Sequence, residues 1–249
     1  MNLCIDQGNS RTKVALFKDG VIVKNLLYRS FTSVDVERLF SLYPITQSIV
    51  SSVANMEPAV INALNRLSKR FVLFDHLTPL PIKNCYQTPE TLGHDRIAAA
   101  VGAAHLCPGQ NLLIVDAGSA VTYDFVSAEQ GYLGGNIAPG MQMRLRALHE
   151  YTARLPLVEA EGEVPGMGYN TETAIRSGVL RGMKYEIEGY IKSMRSKFPH
   201  LQVFLTGGNR INFDTNIKNL IFTDKYIVPR GLNRILDYNE ELRTNSEKA

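Results

Sequence analysis

Two short turns carry the residues most able to do chemistry. One opens the octet "DQGNSRTK" (Asp6, Gln7, Gly8, Asn9, Ser10, Arg11, Thr12, Lys13); the other is Asp116-Ala117-Gly118, followed by Ser119. Each comes directly after an apolar run. A tight glycine-containing turn presents backbone N–H groups to an anion, while a carboxylate and a lysine nearby add a cation-binding group and a positive charge. That combination suits a polyphosphate. A single Asp-x-Gly fits equally well an Asx-capped turn with no ligand. Two of them, at the same place in similar surroundings, favour nucleotide binding. A third turn, Gly207-Gly208 in "LTGGN", could let a flat base approach the backbone, because no Cβ intervenes.

A further group, Gly93-His94-Asp95-Arg96, stands at the mouth of the small-residue helix "HDRIAAAVGAA". A carboxylate in a first helical turn ordinarily serves the free N–H groups and the helix dipole. Beside a guanidinium it also offers what phosphoryl transfer to an alcohol needs: one group to accept the hydroxyl proton and one to steady negative charge. "GGNIAPG" reads either as a wall of such a site or as plain turn glycines with a proline before a helix. Neither GxxxxGK[ST] nor a complete GxGxxG after a strand occurs, so Walker-type and dinucleotide loops are not expected.

These residues need an α/β framework to hold them. Residues 2–7, 13–18 and 21–29 read as strands, with Asp19-Gly20 as a hairpin turn. "SVDVERLFSLYP" has helical spacing, with Val34, Leu39, Phe40 and Leu42 on one side and Pro44 ending it. A strand in "QSIVSSV", a helix in "EPAVINALNRLSK" and a strand in "FVLFD" follow, then a proline-rich loop and a helix from Asp95 to Cys107. "CPGQN" breaks the chain. Beyond it, "NLLIVDAGSAVTYDFVSAEQGYLGG" repeats the order strand, Asp-x-Gly, strand, turn, strand of the N-terminal segment, which points to an internal duplication. Helices are expected near 140–152, over 171–197 and near 231–242, with strands in "QVFLTGGN" and "LIFTDKYIVP" and a mobile acidic loop in "EAEGEVPGMG". The expected fold is α/β, with two similar halves, 1–108 and 109–249, each a mixed β-sheet with flanking helices.

Composition narrows the function classes. Across 249 residues, 45% are hydrophobic and 20% charged, with a net charge of +3 and no Lys/Arg-rich run, so no nucleic-acid partner is expected. The longest small-apolar run, "IAAAVGAAHLC", is too short to span a bilayer, and the first residues hold no basic-then-apolar leader. No membrane association is therefore expected. Cys4, Cys85 and Cys107 form no CxxC pair, which fits a reducing cytoplasm, and the five histidines show no metal-ligand spacing.

Taken in order, "DQGNSRTK", "GHDR", "DAGSAVTYD", "GGNIAPG", "TARLPLVE", "GYNTETAIRSG" and "LTGG" resemble the type III pantothenate kinases. The resemblance implies the actin-like ATPase fold, built of two ribonuclease-H-like halves, and an ATP-dependent phosphorylation of (R)-pantothenate to 4′-phosphopantothenate in coenzyme A biosynthesis. It implies that residues 6–13 form the first phosphate loop, with Asp6 helping to hold Mg2+ and Lys13 near the phosphates. Asp95 would be the proton acceptor, and Tyr86 with Gly93, His94, Asp95 and Arg96 would line the pantothenate site. Asp116 would bind a monovalent cation (K+ or NH4+), Ser119 would contact ATP, and Gly207-Gly208 would lie on the adenosine side. Thr171 would be a further pantothenate contact, reached from the partner subunit of a homodimer. Ser10 and Ser119 stand where the family commonly has threonine, a change that keeps the hydroxyl. Another small-molecule kinase of the superfamily, or a non-catalytic regulatory relative, is the alternative.

Overall fold

The computed structural model of the protein describes residues 1–8, 11–52, 56–209, 213 and 215–247. They fall into two compact units.

In the first unit, β1 (Asn2–Gln7), β2 (Thr12–Lys18), β3 (Val21–Tyr28), β4 (Gln47–Ser52) and β5 (Arg70–Leu73) form a sheet in the order β3-β2-β1-β4-β5. The first three strands are antiparallel neighbours; β4 and β5 run parallel to β1. Asp19 (φ 50°) and Gly20 (φ 75°) are both left-handed, as a two-residue hairpin turn requires. β1 reads as a continuous apolar run because it is central and covered on both faces. Leu3 and Ile5 enter a core completed by α1 (Ser33–Leu42) and α2 (Pro58–Leu67), with Val60, Ala63 and Leu64 at helical spacing. α1 begins with a reciprocal Thr32–Asp35 cap, and α2 has proline at its first turn. The apolar stripe expected on α1 is displaced. Of the residues expected to face inward, Leu39 is buried and Phe40 packs against the core, as does Val36, whereas Val34 is 70% and Leu42 62% exposed.

α3 (His94–Leu106) packs against α7 (Ile227–Ser246), and α7 packs on β1 and β4. A Cβ on Gly102 would run into the Ile227 carbonyl, and one on Gly231 into the Ala98 carbonyl. The small residues of α3 therefore serve helix–helix contact at backbone range. The first unit comprises Met1–Pro108, Gln130–Tyr132 and the segment from Tyr226, and the second comprises Gly109–Glu129 and Leu133–Lys225.

In the second unit, β6 (Leu112–Ala117), β7 (Ala120–Ser127), β8 (Gly131–Pro139), β9 (Gln202–Thr206) and β10 (Ile221–Thr223) take the order β10-β9-β6-β7-β8. β6 is antiparallel to β7 and parallel to β9, and β10 is parallel to β9, so the strand order of the first sheet recurs. α4 (Met141–Glu150), α5 (Thr171–Lys197) and the short α6 (Thr215–Lys218) complete it. α5 starts on a cap, the Asn170 side chain accepting from the Thr173 N–H at 2.9 Å, and buries Met183, Ile187 and Ile191 against Leu113, Val115 and Val203. The acidic segment expected to be a mobile loop is irregular but tethered. Buried Arg176 donates to the Glu159 and Glu163 carbonyls at 2.9 and 3.4 Å, and the Ser177 hydroxyl donates to the Pro165 carbonyl at 2.9 Å. Among the described residues no helix is long and apolar enough to cross a membrane.

Candidate active site

In the first unit the sheet register places Asp6 beside Lys13 of β2 and Ser51 of β4. Asp6 is 7% exposed, and Lys13, half in solvent, brings Nζ to 3.7 Å from Oδ2. Burial pushes the Asp6 carboxyl above its ordinary range; the lysine opposes that, and the negative charge of Asp95 adds to it. Around it, the Gly8 N–H donates to the Arg11 carbonyl at 3.0 Å, closing the turn, and the Ser52 hydroxyl donates to Gln7 Oε1 at 2.7 Å. Thr12 is buried at the start of β2 and Arg11 is exposed. Asn9 and Ser10 lie outside the described residues.

Asp95 sits in the first turn of α3, where its Oδ1 accepts from the Arg96 N–H at 2.9 Å. A Cβ on Gly93, the N-cap, would lie 2.7 Å from that oxygen, so glycine leaves the carboxylate its room. Arg96 is buried, with its guanidinium carbon 5.7 Å from the centre of the Tyr86 ring. Tyr86 in turn lies 6.1 Å from Tyr132, and His94 packs on Phe74 with ring centres 5.1 Å apart. Tyr86 and Gly93 to Arg96 thus form one cluster, and Asp95 acts electrostatically on Asp6. Among the described residues no group of three or more His, Cys, Asp or Glu side chains could hold a metal by itself. The buried Asp6 carboxylate, with Lys13 3.7 Å away, suits Mg2+, a hard cation that takes only one or two protein carboxylates.

In the second unit Asp116 lies opposite Thr122 and Thr206. The Gly118 N–H donates to the Ala120 carbonyl at 3.0 Å, and Ser119 is exposed at the apex. Two further segments buttress this turn. Asn209 donates its backbone N–H to the Ala117 carbonyl at 3.0 Å and its side-chain amide to the Gly118 carbonyl at 2.8 Å. The Gly140 N–H donates to the Ser119 carbonyl at 3.1 Å, and a Cβ there would strike both the Ser119 and Gly118 carbonyls. Gly207 (φ 101°) presses on the Ala117 backbone, so its lack of a side chain serves this packing; Gly208 has nothing described within 4 Å of its Cβ position. Thr171 is exposed at the first position of α5.

The sequence reading missed Arg144, Glu186 and Tyr123. The Tyr123 hydroxyl donates to Glu186 Oε1 at 2.6 Å and Arg144 Nη2 donates to Oε2 at 2.7 Å. Arg144 lies in "MQMRLRALHE", which reads as an ordinary amphipathic helix, and no spacing in the chain links it to Glu186. Burial and the Glu186 hydrogen bond push the Tyr123 phenol far up, keeping it a donor.

A family model described as type III pantothenate kinase matches residues 2–193. A type III pantothenate kinase of Bacteroides fragilis is 50% identical over 240 residues, covering 96% of this chain and 98% of that one. Among solved structures, a Baf family protein from Campylobacter jejuni has a TM-score of 0.58 at 23% identity, covering 96% of this chain and 99% of its own. MreB5 of Spiroplasma citri, solved bound to ADP, has a TM-score of 0.51 at 10% identity, covering 100% and 98%. These two carry the fold alone, which is the actin-like ATPase fold. Sequence and topology agree: this chain is a kinase and belongs to the type III pantothenate kinase family.

Proposed function

We propose that the protein transfers the γ-phosphoryl group of ATP to the hydroxyl of (R)-pantothenate, giving 4′-phosphopantothenate for coenzyme A biosynthesis. The observation that supports the residue assignment is buried Asp6 with Lys13 Nζ 3.7 Å from its carboxylate, in the same unit as Asp95, which stands in the first turn of α3 beside buried Arg96. Asp95, next to Arg96 and Tyr86, accepts the hydroxyl proton as the oxygen attacks phosphorus and the bond to the ADP oxygen breaks. Asp6 would hold Mg2+ on the phosphates, where the ion supplies charge neutralisation. Gln7 to Lys13 and Ser119 would contact ATP, Gly93 to Arg96 with Tyr86 and Thr171 would contact pantothenate, and Asp116 would hold K+ or NH4+.

A cytoplasmic homodimer completes this reading. Met167 and Tyr169, 87% and 67% exposed just ahead of Thr171, are apolar surface that a second copy would cover. The test is a coupled ADP-release assay with pantothenate, Mg2+ and K+, then a panel of other small alcohols with and without K+. Potassium-dependent turnover confined to pantothenate is expected; no turnover by folded protein would sink the proposal.

A further inference from the structure

The Pro139–Gly140 bend is held from behind by an ionic hydrogen-bond network. Arg144 Nε donates to the Pro139 carbonyl at 2.7 Å, and its backbone N–H closes the first turn of α4 on the Gly140 carbonyl at 3.0 Å. Through Nη2 the same guanidinium reaches Glu186 of α5, whose other oxygen accepts from Tyr123 of β7. Tyr123 stacks on Tyr190 with ring centres 3.9 Å apart, and Asn136 of β8 donates to the Tyr190 hydroxyl at 3.1 Å. One carboxylate thus ties β7, α4 and α5 around the bend. What the bend touches is the turn after β6, through the Gly140 N–H on the Ser119 carbonyl, at a spacing that excludes a side chain. Arg144 and Glu186 are 19% and 29% exposed, so their charge-assisted bonds escape much of the screening that weakens surface pairs.

We propose that Glu186, bridging Arg144 and Tyr123, is a positioning residue for the turn Asp116–Ala120, fixing the orientation in which that turn meets ATP. The inference rests on Ser119 being an ATP contact. A scaffolding role would lower stability and leave substrate affinities alone. A positioning role moves the KM for ATP while the KM for pantothenate stays.

The experiment uses the full chain and measures both KM values, kcat and Tm for wild type, Ser119→Ala, Tyr123→Phe, Glu186→Gln and the double variant Ser119→Ala/Glu186→Gln. Ser119→Ala and Glu186→Gln are each expected to raise the ATP KM about fivefold, the size of one lost hydrogen bond. The double variant should fall short of the product of the two, because coupled sites are non-additive. Tyr123→Phe deletes a single hydroxyl and should shift the ATP KM in the same direction, which decides the matter if Glu186→Gln does not fold. An ATP KM unmoved by Tyr123→Phe and Glu186→Gln, with Ser119→Ala raising it, overturns the positioning role alone. An ATP KM unmoved by Ser119→Ala overturns the ATP contact and the positioning role together.

Discussion

Asp6 and Lys13 stand in register across β1 and β2 with 3.7 Å between Nζ and Oδ2, yet the aspartate still holds its proton more tightly than usual. A half-exposed lysine does not offset burial and the charge of Asp95 together.

Because its folded-state pKa is raised above the ordinary 3.8, Asp6 favours folding only while protonated, and that contribution is lost as pH rises through the raised value. Above that value the ionised carboxylate works against the fold. Asp6→Asn is therefore expected to raise Tm at pH 7 and to abolish turnover. The gain should shrink towards pH 4. Thermal melts across that range check it, and a lowered Tm at pH 7 would contradict it.

Asp95→Asn keeps the shape of the first turn of α3 and removes the proposed proton acceptor. It should lower kcat by about 10²- to 10⁴-fold while ATP binding persists. Titration calorimetry with ATP, beside steady-state rates, separates the two effects. An unchanged kcat would remove Asp95 from its role.

Gly140→Ala inserts a methyl group against the Ser119 and Gly118 carbonyls. The turn must shift, so the ATP KM should rise and stability should fall by roughly 1–3 kcal/mol. Denaturant melts and ATP titrations measure both, and a normal ATP KM would mean that the turn tolerates displacement.

Gly231→Ala drives a methyl group into the Ala98 carbonyl on α3. A loss of about 1–3 kcal/mol is expected, with both KM values unchanged in the protein that remains folded. Here stability is the sole readout that should move; an altered KM would tie the α3–α7 contact to the site.

How much of this was legible depended on the range of the interaction. The repeated strand–turn–strand pattern was readable because continuous apolar runs such as Leu112–Val115 mark central strands, and the recurring strand order matches it. Asp6, Lys13 and Asp95 were legible as residue types in polar turns. The buried face of α1 was misplaced because Val34 and Leu42 look as apolar as Val36, and only the sheet decides which side is covered. The Tyr123–Glu186–Arg144 network and the tether through Arg176 escaped notice, since each joins residues far apart in sequence by single hydrogen bonds that leave no periodicity. The small residues of α3 announced a close neighbour but not its identity.

That neighbour has a bearing on synthesis. A domain completed early in the chain can fold while the rest is still being made. Here the first sheet is built by residue 73, yet α7, which packs on β1, β4 and α3, begins at residue 227. The nascent first unit must therefore wait, with the glycine and alanine surface of α3 uncovered, until the whole second unit has emerged from the ribosome. Its final assembly is a late, long-range event.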